Sequence, residues 1–283
     1  MRAPFADALR EAAVVCRDDL TGAARSFLGV AALVLYLVMN LAVAVPYLAV
    51  TKLLEREMAG AGVPAQAAAA AAGQLAWLRL FEWLTGDAGA ASAMADVPLQ
   101  AVFVFMTAAF FAPVVAILVA HDQIADDLRT GHLRFLAVRC RRGSLLVGRM
   151  VSRTLLMAGV VLIVGAGDYV LMANRGEGLP PGAWRHFLRY AWLLVAMLPC
   201  WVAVAALASA SVRSPLAALL LGLTLLFGLA LLGASSQVGW LSPVSYKRLL
   251  YSPATWPSGV AAYLGFAGVF GALAWARLRT RDL

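Results

Sequence analysis

The sequence predicts an all-α integral membrane protein: six transmembrane helices, an N-terminal interfacial helix, a helical inner loop after the second span, and helical loops on the outer face. Three observations predict it. Hydrophobic residues fill 63% of the 283 positions and charged residues only 13%, about half the roughly 25% charge of a soluble domain. Six segments are apolar for long enough to cross a hydrocarbon core of about 30 Å, which takes about 20 helical residues. The 23 Lys and Arg residues bracket these segments, as topology signals do.

The spans are 27–50, 97–120, 145–173, 190–211, 215–232 and 260–276. Backbone amides in lipid must be satisfied within the segment, so runs of this length are helices rather than strands. The first span is too long for a signal-peptide core and lacks a cleavage pattern. Six spans place both termini on one side. With that side cytoplasmic, fifteen of the 23 basic residues lie inside and eight outside, the bias that the positive-inside rule requires.

Residues 1–26 precede the first span, and Phe5, Leu9, Ala12, Cys16 and Leu20 recur there at helical spacing. The pattern fits a helix lying in the inner interface, or equally one packed on the protein itself. Residues 27–283 form a single six-helix domain. Its first outer loop, 51–96, carries an alanine run after Pro64 and then Trp77, Phe81 and Trp83. This predicts an amphipathic helical hairpin on the membrane surface, a ligand-binding cap being the alternative. The last outer loop, 233–258, holds Pro243, Tyr246, Pro253 and Pro257. Its prolines forbid one continuous helix, so short helices either dip into the outer leaflet, with Pro243, Tyr246 and Pro253 candidates for an outer gate, or simply pack on the surface.

Segment 121–146 is the most informative. Asp122, Asp126 and Asp127 open it, and Arg129, Arg134, Arg139, Arg141 and Arg142 follow. Ile124, Leu128, Leu133, Phe135 and Leu136 give apolar faces to two short helices broken near Gly131, with acids toward one helix's start and bases toward its end, as the helix dipole favours. Ile124, Asp127, Gly131-His132-Leu133, Phe135-Leu136, Arg139-Cys140 and Gly148-Arg149 then stand in a distinctive order. This order resembles the ABC-2 type transporter permeases, which show an Ile, an acid, Gly-Thr-Leu, a leucine pair, Arg-Pro and a distal Gly-Lys between their second and third spans. His132, Cys140 and Arg149 replace Thr, Pro and Lys. The short inner turn Val212-Arg213-Ser214 and the basic tail ending Asp282-Leu283 are similar to that family too.

The resemblance implies a permease subunit in a bacterial inner membrane, multi-pass with cytoplasmic termini, of export or mechanotransmitting type. It implies partners: a cytosolic ABC ATPase, a second permease copy (identical or a close paralogue), and membrane lipids. No GxxxxGK[ST] loop occurs, so no cofactor is expected in this chain, ATP and Mg being bound by the partner ATPase. Segment 121–146 would hold the coupling helix: Leu133, Phe135 and Leu136 as anchors, Asp126, Asp127, Arg134 and Arg139 orienting it, Gly131 breaking it, and Arg213 at a smaller contact.

Within the spans, Asp168 falls about 22 residues beyond Leu146, about 33 Å along a helix and near headgroup level. It is an interfacial acid, a partner of Arg175, or part of the outer gate. Asn40 is placed to hydrogen-bond a neighbouring helix, and Pro113 and Pro199 to kink their spans. No arginine stripe interleaved with aromatics points to nucleic acid, and Cys16, Cys140, Cys200 and the three histidines lack metal-ligand spacing. A membrane-embedded enzyme would need converging polar groups, yet HExxH and GxSxG are absent. An ATP-independent channel or structural anchor is the other alternative.

Overall fold

The computed structural model describes residues 4–25, 30–42, 99–173, 182–251 and 255–281. The first outer loop, Arg175, Pro253 and the terminal Asp282-Leu283 lie outside the described residues. The described chain is helical: α1 Pro4–Arg25, α2 Val30–Ala42, α3 Leu99–Ala120, α4 Ala125–Thr130, α5 His132–Arg139, α6 Arg142–Ala173, α7 Ala183–Ser211, α8 Pro215–Ala234 and α9 Trp256–Arg279. Five of these (α3, α6, α7, α8 and α9) are long and apolar enough to cross a membrane, and α2 is a shorter apolar helix inside the predicted first span.

The long helices outrun the apolar windows read from sequence because helix geometry does not stop where apolarity does. Helix α7 begins at Ala183, seven residues before the predicted 190, and takes in Trp184, Arg185 and Arg189. Helix α9 continues through Arg277 to Arg279. Pro113 and Pro199 sit inside α3 and α7, and both helices run on through them.

Helix α7 is the axis of the bundle, touched by α3, α6, α8 and α9. Its run of small residues explains why: Ala203, Ala205, Ala206, Ala208 and Ala210 are fully buried, and small side chains let neighbouring backbones approach where no hydrophobic driving force exists between helices in lipid. Helix α8 comes close through Gly222, where a Cβ would stand 2.9 Å from the Ile117 side chain of α3. Trp201, Tyr263, Phe105, Met197 and Leu198 fill the core.

The breaks between helices have local causes. Gly131 adopts φ 73°, the left-handed conformation that ends α4 and starts α5. Val212 and Ser214 are extended and Pro215 opens α8 at its first turn, so α7 and α8 reverse in three residues. Between α8 and α9 two short 3₁₀ turns, Gly239–Leu241 and Pro243–Leu250, replace a continuous helix, as the prolines require. Ser242 Oγ donates to the Leu229 carbonyl at 2.6 Å, folding this segment back on α8. Leu250 and Tyr251 are buried, and a Cβ on Gly259 would lie 2.7 Å from Leu250, so the segment also seats against the start of α9.

Candidate functional site

One end of the bundle gathers the charge. There the end of α3, α4, α5, the start of α6, the end of α7 and the end of α9 meet, with α1 laid along α6. Gly148 permits that approach: a Cβ would lie 2.7 Å from the Ala12 carbonyl and 2.8 Å from Val15. Helix α1 therefore packs on the protein, and its Leu9 and Val14 remain exposed.

The segment from 121 to 139 is locked to the bundle along one side. Ser209 of α7 accepts from the backbone N–H groups of Ile124 at 2.9 Å and Ala125 at 2.8 Å. It thus replaces the N-cap that Ile124 cannot provide for α4. Asp127 pairs with Arg149 of α6, and Arg149 also donates to the Gln123 carbonyl. His132 Nδ1 stands 3.5 Å from the other oxygen of Asp127. Deeper, Arg153 lies between Asp19 of α1 at 3.5 Å and Asp122 at 3.6 Å, and Ser152 donates to Asp19. Ile124 and Leu133 are buried beneath, against Leu145, Leu146, Ala206, Ala210, Ala274 and Leu278, with Leu128 and Leu136 half-buried beside them.

The other side of the segment faces out. Phe135 is 72% exposed and Val138 88% exposed, and Arg129, Arg134 and Arg139 around them are exposed as well. Asp126 pairs outward with Arg129 at 2.8 Å. A rim contact joins α1: Glu11 accepts from the Arg141 backbone N–H at 3.0 Å, and that bond holds its carboxyl below the usual range.

The sequence-derived candidates therefore divide. Phe135, Arg134, Arg139 and Asp126 share the outer surface; Leu133 and Asp127 point inward and hold the segment in place; Leu136 lies between; Gly131 is the joint. Arg213 is exposed one turn beyond Ser209, on the same end of the molecule. Beside it Arg281 donates to the carbonyls of Ser211 and Val212. Arg142 donates to the carbonyls of Leu278, Arg279 and Arg281, closing the end of α9 with a cation. Sequence reading missed Arg149 and Arg153 as partners of the acids. Their signal was present, two arginines four residues apart inside an apolar span.

Of the candidates at the opposite end, Pro253 lies outside the described residues, and Asp168, Pro243 and Tyr246 each have their own surroundings. Asp168 is 5% exposed, buried among helices rather than turned outward, and lines a cavity between α2, α3, α6 and α7. Pro243 is buried under α8, and Tyr246 packs on Phe266 of α9 with ring centroids 5.7 Å apart. Tyr251 reaches toward the cavity, edge-on to Phe105 at 5.6 Å. Asn40 Nδ2 donates to the Tyr36 carbonyl of its own helix at 2.7 Å, and among the described residues no bond to a neighbouring helix is found. Among the described residues no cluster of His, Cys, Asp or Glu is arranged to hold a metal ion.

These features, a bundle of apolar helices with a charged, jointed segment between α3 and α6, are those of a multi-pass membrane protein. A sequence profile of the ABC-2 family transporter proteins matches residues 13–256, and the chain belongs to that family. Comparison with curated proteins finds no match.

Proposed function

We propose that the chain is the permease subunit of an ATP-driven transporter in a bacterial inner membrane, acting in export or in transmitting force across the bilayer. Six spans form each unit, with α2 the described part of the first, and both termini lie in the cytoplasm. Two copies line the pathway, and a separate cytosolic ABC ATPase binds ATP and Mg and supplies the energy. Family membership supports the ATPase partnership in general terms. The concentration of arginine at the end carrying α4 and α5 supports its cytoplasmic placement. Exposed apolar faces, such as Leu216, Leu220, Phe227 and Leu231 on α8, suit lipid and a second copy.

The single observation that carries the coupling role is the two-sidedness of α5. Two apolar side chains, Phe135 and Val138, stand out of a collar of arginines, where water gives them no reason to be. A few buried apolar or aromatic anchors commonly carry most of an interface's energy. On its reverse side Leu133 is buried against α6, α7 and α9, and α4, joined to it at Gly131, is pinned to α6 and α7 through Asp127, Arg149 and Ser209. A push on Phe135 is therefore delivered to the start of α6 as a rigid-body movement, rather than absorbed in a loose loop.

The test is capture of an ATPase by the tagged chain from native membranes, with and without Phe135→Ala and Val138→Ala together. Capture by the unchanged chain, and at least about tenfold weaker association of the double variant at equal membrane yield, is expected. Absence of any ATPase, or equal association by the double variant, would remove the docking role.

A further inference from the structure

At the end of the bundle remote from α5, a cavity of about 330 Å³ opens between α2, α3, α6 and α7. Its walls are apolar and aromatic, and Tyr36, Phe105, Tyr169 and Tyr190 are among them. Phe105 stacks on Tyr190 with centroids 4.6 Å apart, and Tyr169 meets Phe187 edge-on at 5.0 Å. One carboxylate lines this space, Asp168, and it is 5% exposed. Among the described residues no Lys, Arg or His forms an ion pair with it. Asn40 lines the space next to Tyr36, and its Nδ2 donates to the Tyr36 carbonyl. The Tyr36 hydroxyl is likewise committed, donating to the Ala108 carbonyl at 3.3 Å.

A buried acid within a membrane domain is costly and commonly marks a place where an ion or a substrate is met. A small inorganic ion fits this space poorly. Calcium takes about six to eight oxygen ligands and magnesium a near-octahedral set, whereas the side chains lining the cavity offer one carboxylate, one carboxamide and tyrosine hydroxyls among hydrocarbon and rings. A single negative charge enclosed by aromatic walls instead matches a monovalent organic cation: the charge meets the carboxylate, the rings contribute through their negative faces, and the apolar body takes the rest. The volume is at the small end of ordinary ligand sites, about 300–1,000 Å³.

We infer that the cavity between α2, α3, α6 and α7 is a binding site for a lipophilic monovalent organic cation, an ammonium with an apolar or aromatic body, held by Asp168 and the aromatic walls. This deepens the permease reading by naming a substrate class, and rests on that reading only for the step from binding to transport.

The experiment uses the full chain in lipid nanodiscs and radiolabelled benzyltrimethylammonium as probe, followed by equilibrium dialysis. Its uncharged carbon isostere, neopentylbenzene, is the competitor. Saturable binding of the cation is expected, with no displacement by the isostere at equal free concentration. Asp168→Asn, nearly identical in shape, is expected to weaken binding at least tenfold, Asp168→Glu to retain it within a few-fold, and Tyr190→Leu to weaken it about three- to tenfold. Size-exclusion profiles identify any variant that fails to fold, and the competition by the isostere needs no variant. Absence of saturable binding, displacement by the isostere, or unchanged binding by Asp168→Asn overturns the inference. ATPase capture is scored on the same unchanged chain and on Asp168→Asn. Capture without cation binding rejects the site and leaves the permease reading in place; cation binding without capture does the reverse.

Discussion

Arg153 shows how much of the charged end depends on single side chains. It is 7% exposed and stands between Asp19 and Asp122. Removing one member of a buried ion pair costs about 3–5 kcal/mol, because the charge left behind has lost its compensation. Arg153→Met is therefore expected to destabilise the protein by about that much, read as a fall in unfolding midpoint in detergent. Replacing Asp19 and Asp122 by Asn in the same chain should recover a large part of the loss. Ser209 acts by a different route. Its hydroxyl accepts from two buried amides, and an unsatisfied buried donor costs about 1–3 kcal/mol. Ser209→Ala should lower stability by about that amount and speed amide exchange at Ile124 and Ala125. The role of Ser209 was not legible in the sequence, and of Arg153 only its place inside an apolar span was. A serine deep in an alanine-rich span reads as one more small residue. The partners of Arg153 come from residues 31 and 134 positions away by chain, a distance that local patterning does not span.

Among the elements, the long helices were legible and the phase of the short ones was not. Apolar runs of 20 residues have one physical solution in lipid, so five predicted spans coincide with helices, four of them to within a few residues and α7 except for its early start. The break at Gly131 followed from the one residue able to take a positive φ without strain. Which side of α5 faces the bundle is another matter. In eight residues, Leu133 turns inward and Leu136 is half-buried, while Phe135 and Val138 turn outward. Sequence spacing groups Leu133 with Phe135 and Leu136 because all three are apolar. Only contact with α6, α7 and α9 separates them. The orientation of α1 also depends on another element, through Gly148. A larger residue there meets the Ala12 backbone carbonyl, which cannot rotate away, and overpacking of this kind costs about 1–3 kcal/mol. Gly148→Val is expected to lift α1 from α6, seen as faster proteolysis within residues 4–25 with the remaining helices intact.

For the whole molecule, the arrangement has two working ends joined by the same helices. Helix α6 passes beneath the locked segment at Arg149 and, about 20 residues further on, at about 1.5 Å per residue, reaches the cavity at Asp168. Helix α7 likewise runs from Tyr190 and the cavity to Ser209 and the segment. A displacement of α5 is thus mechanically continuous with the walls of the cavity. The cavity itself was hidden in the sequence. Asp168 was visible as an acid near the end of a span, but its aromatic surroundings come from four helices and its depth from their packing.

The most direct measurement places a photo-crosslinking amino acid at Val138 in one preparation and at Trp240, 65% exposed at the other end of α8, in another. Irradiation in native membranes is expected to join the Val138 position to a nucleotide-binding protein and the Trp240 position to none. An adduct from Trp240 with no adduct from Val138 would contradict the account, since force from an ATPase would then have no route into α6.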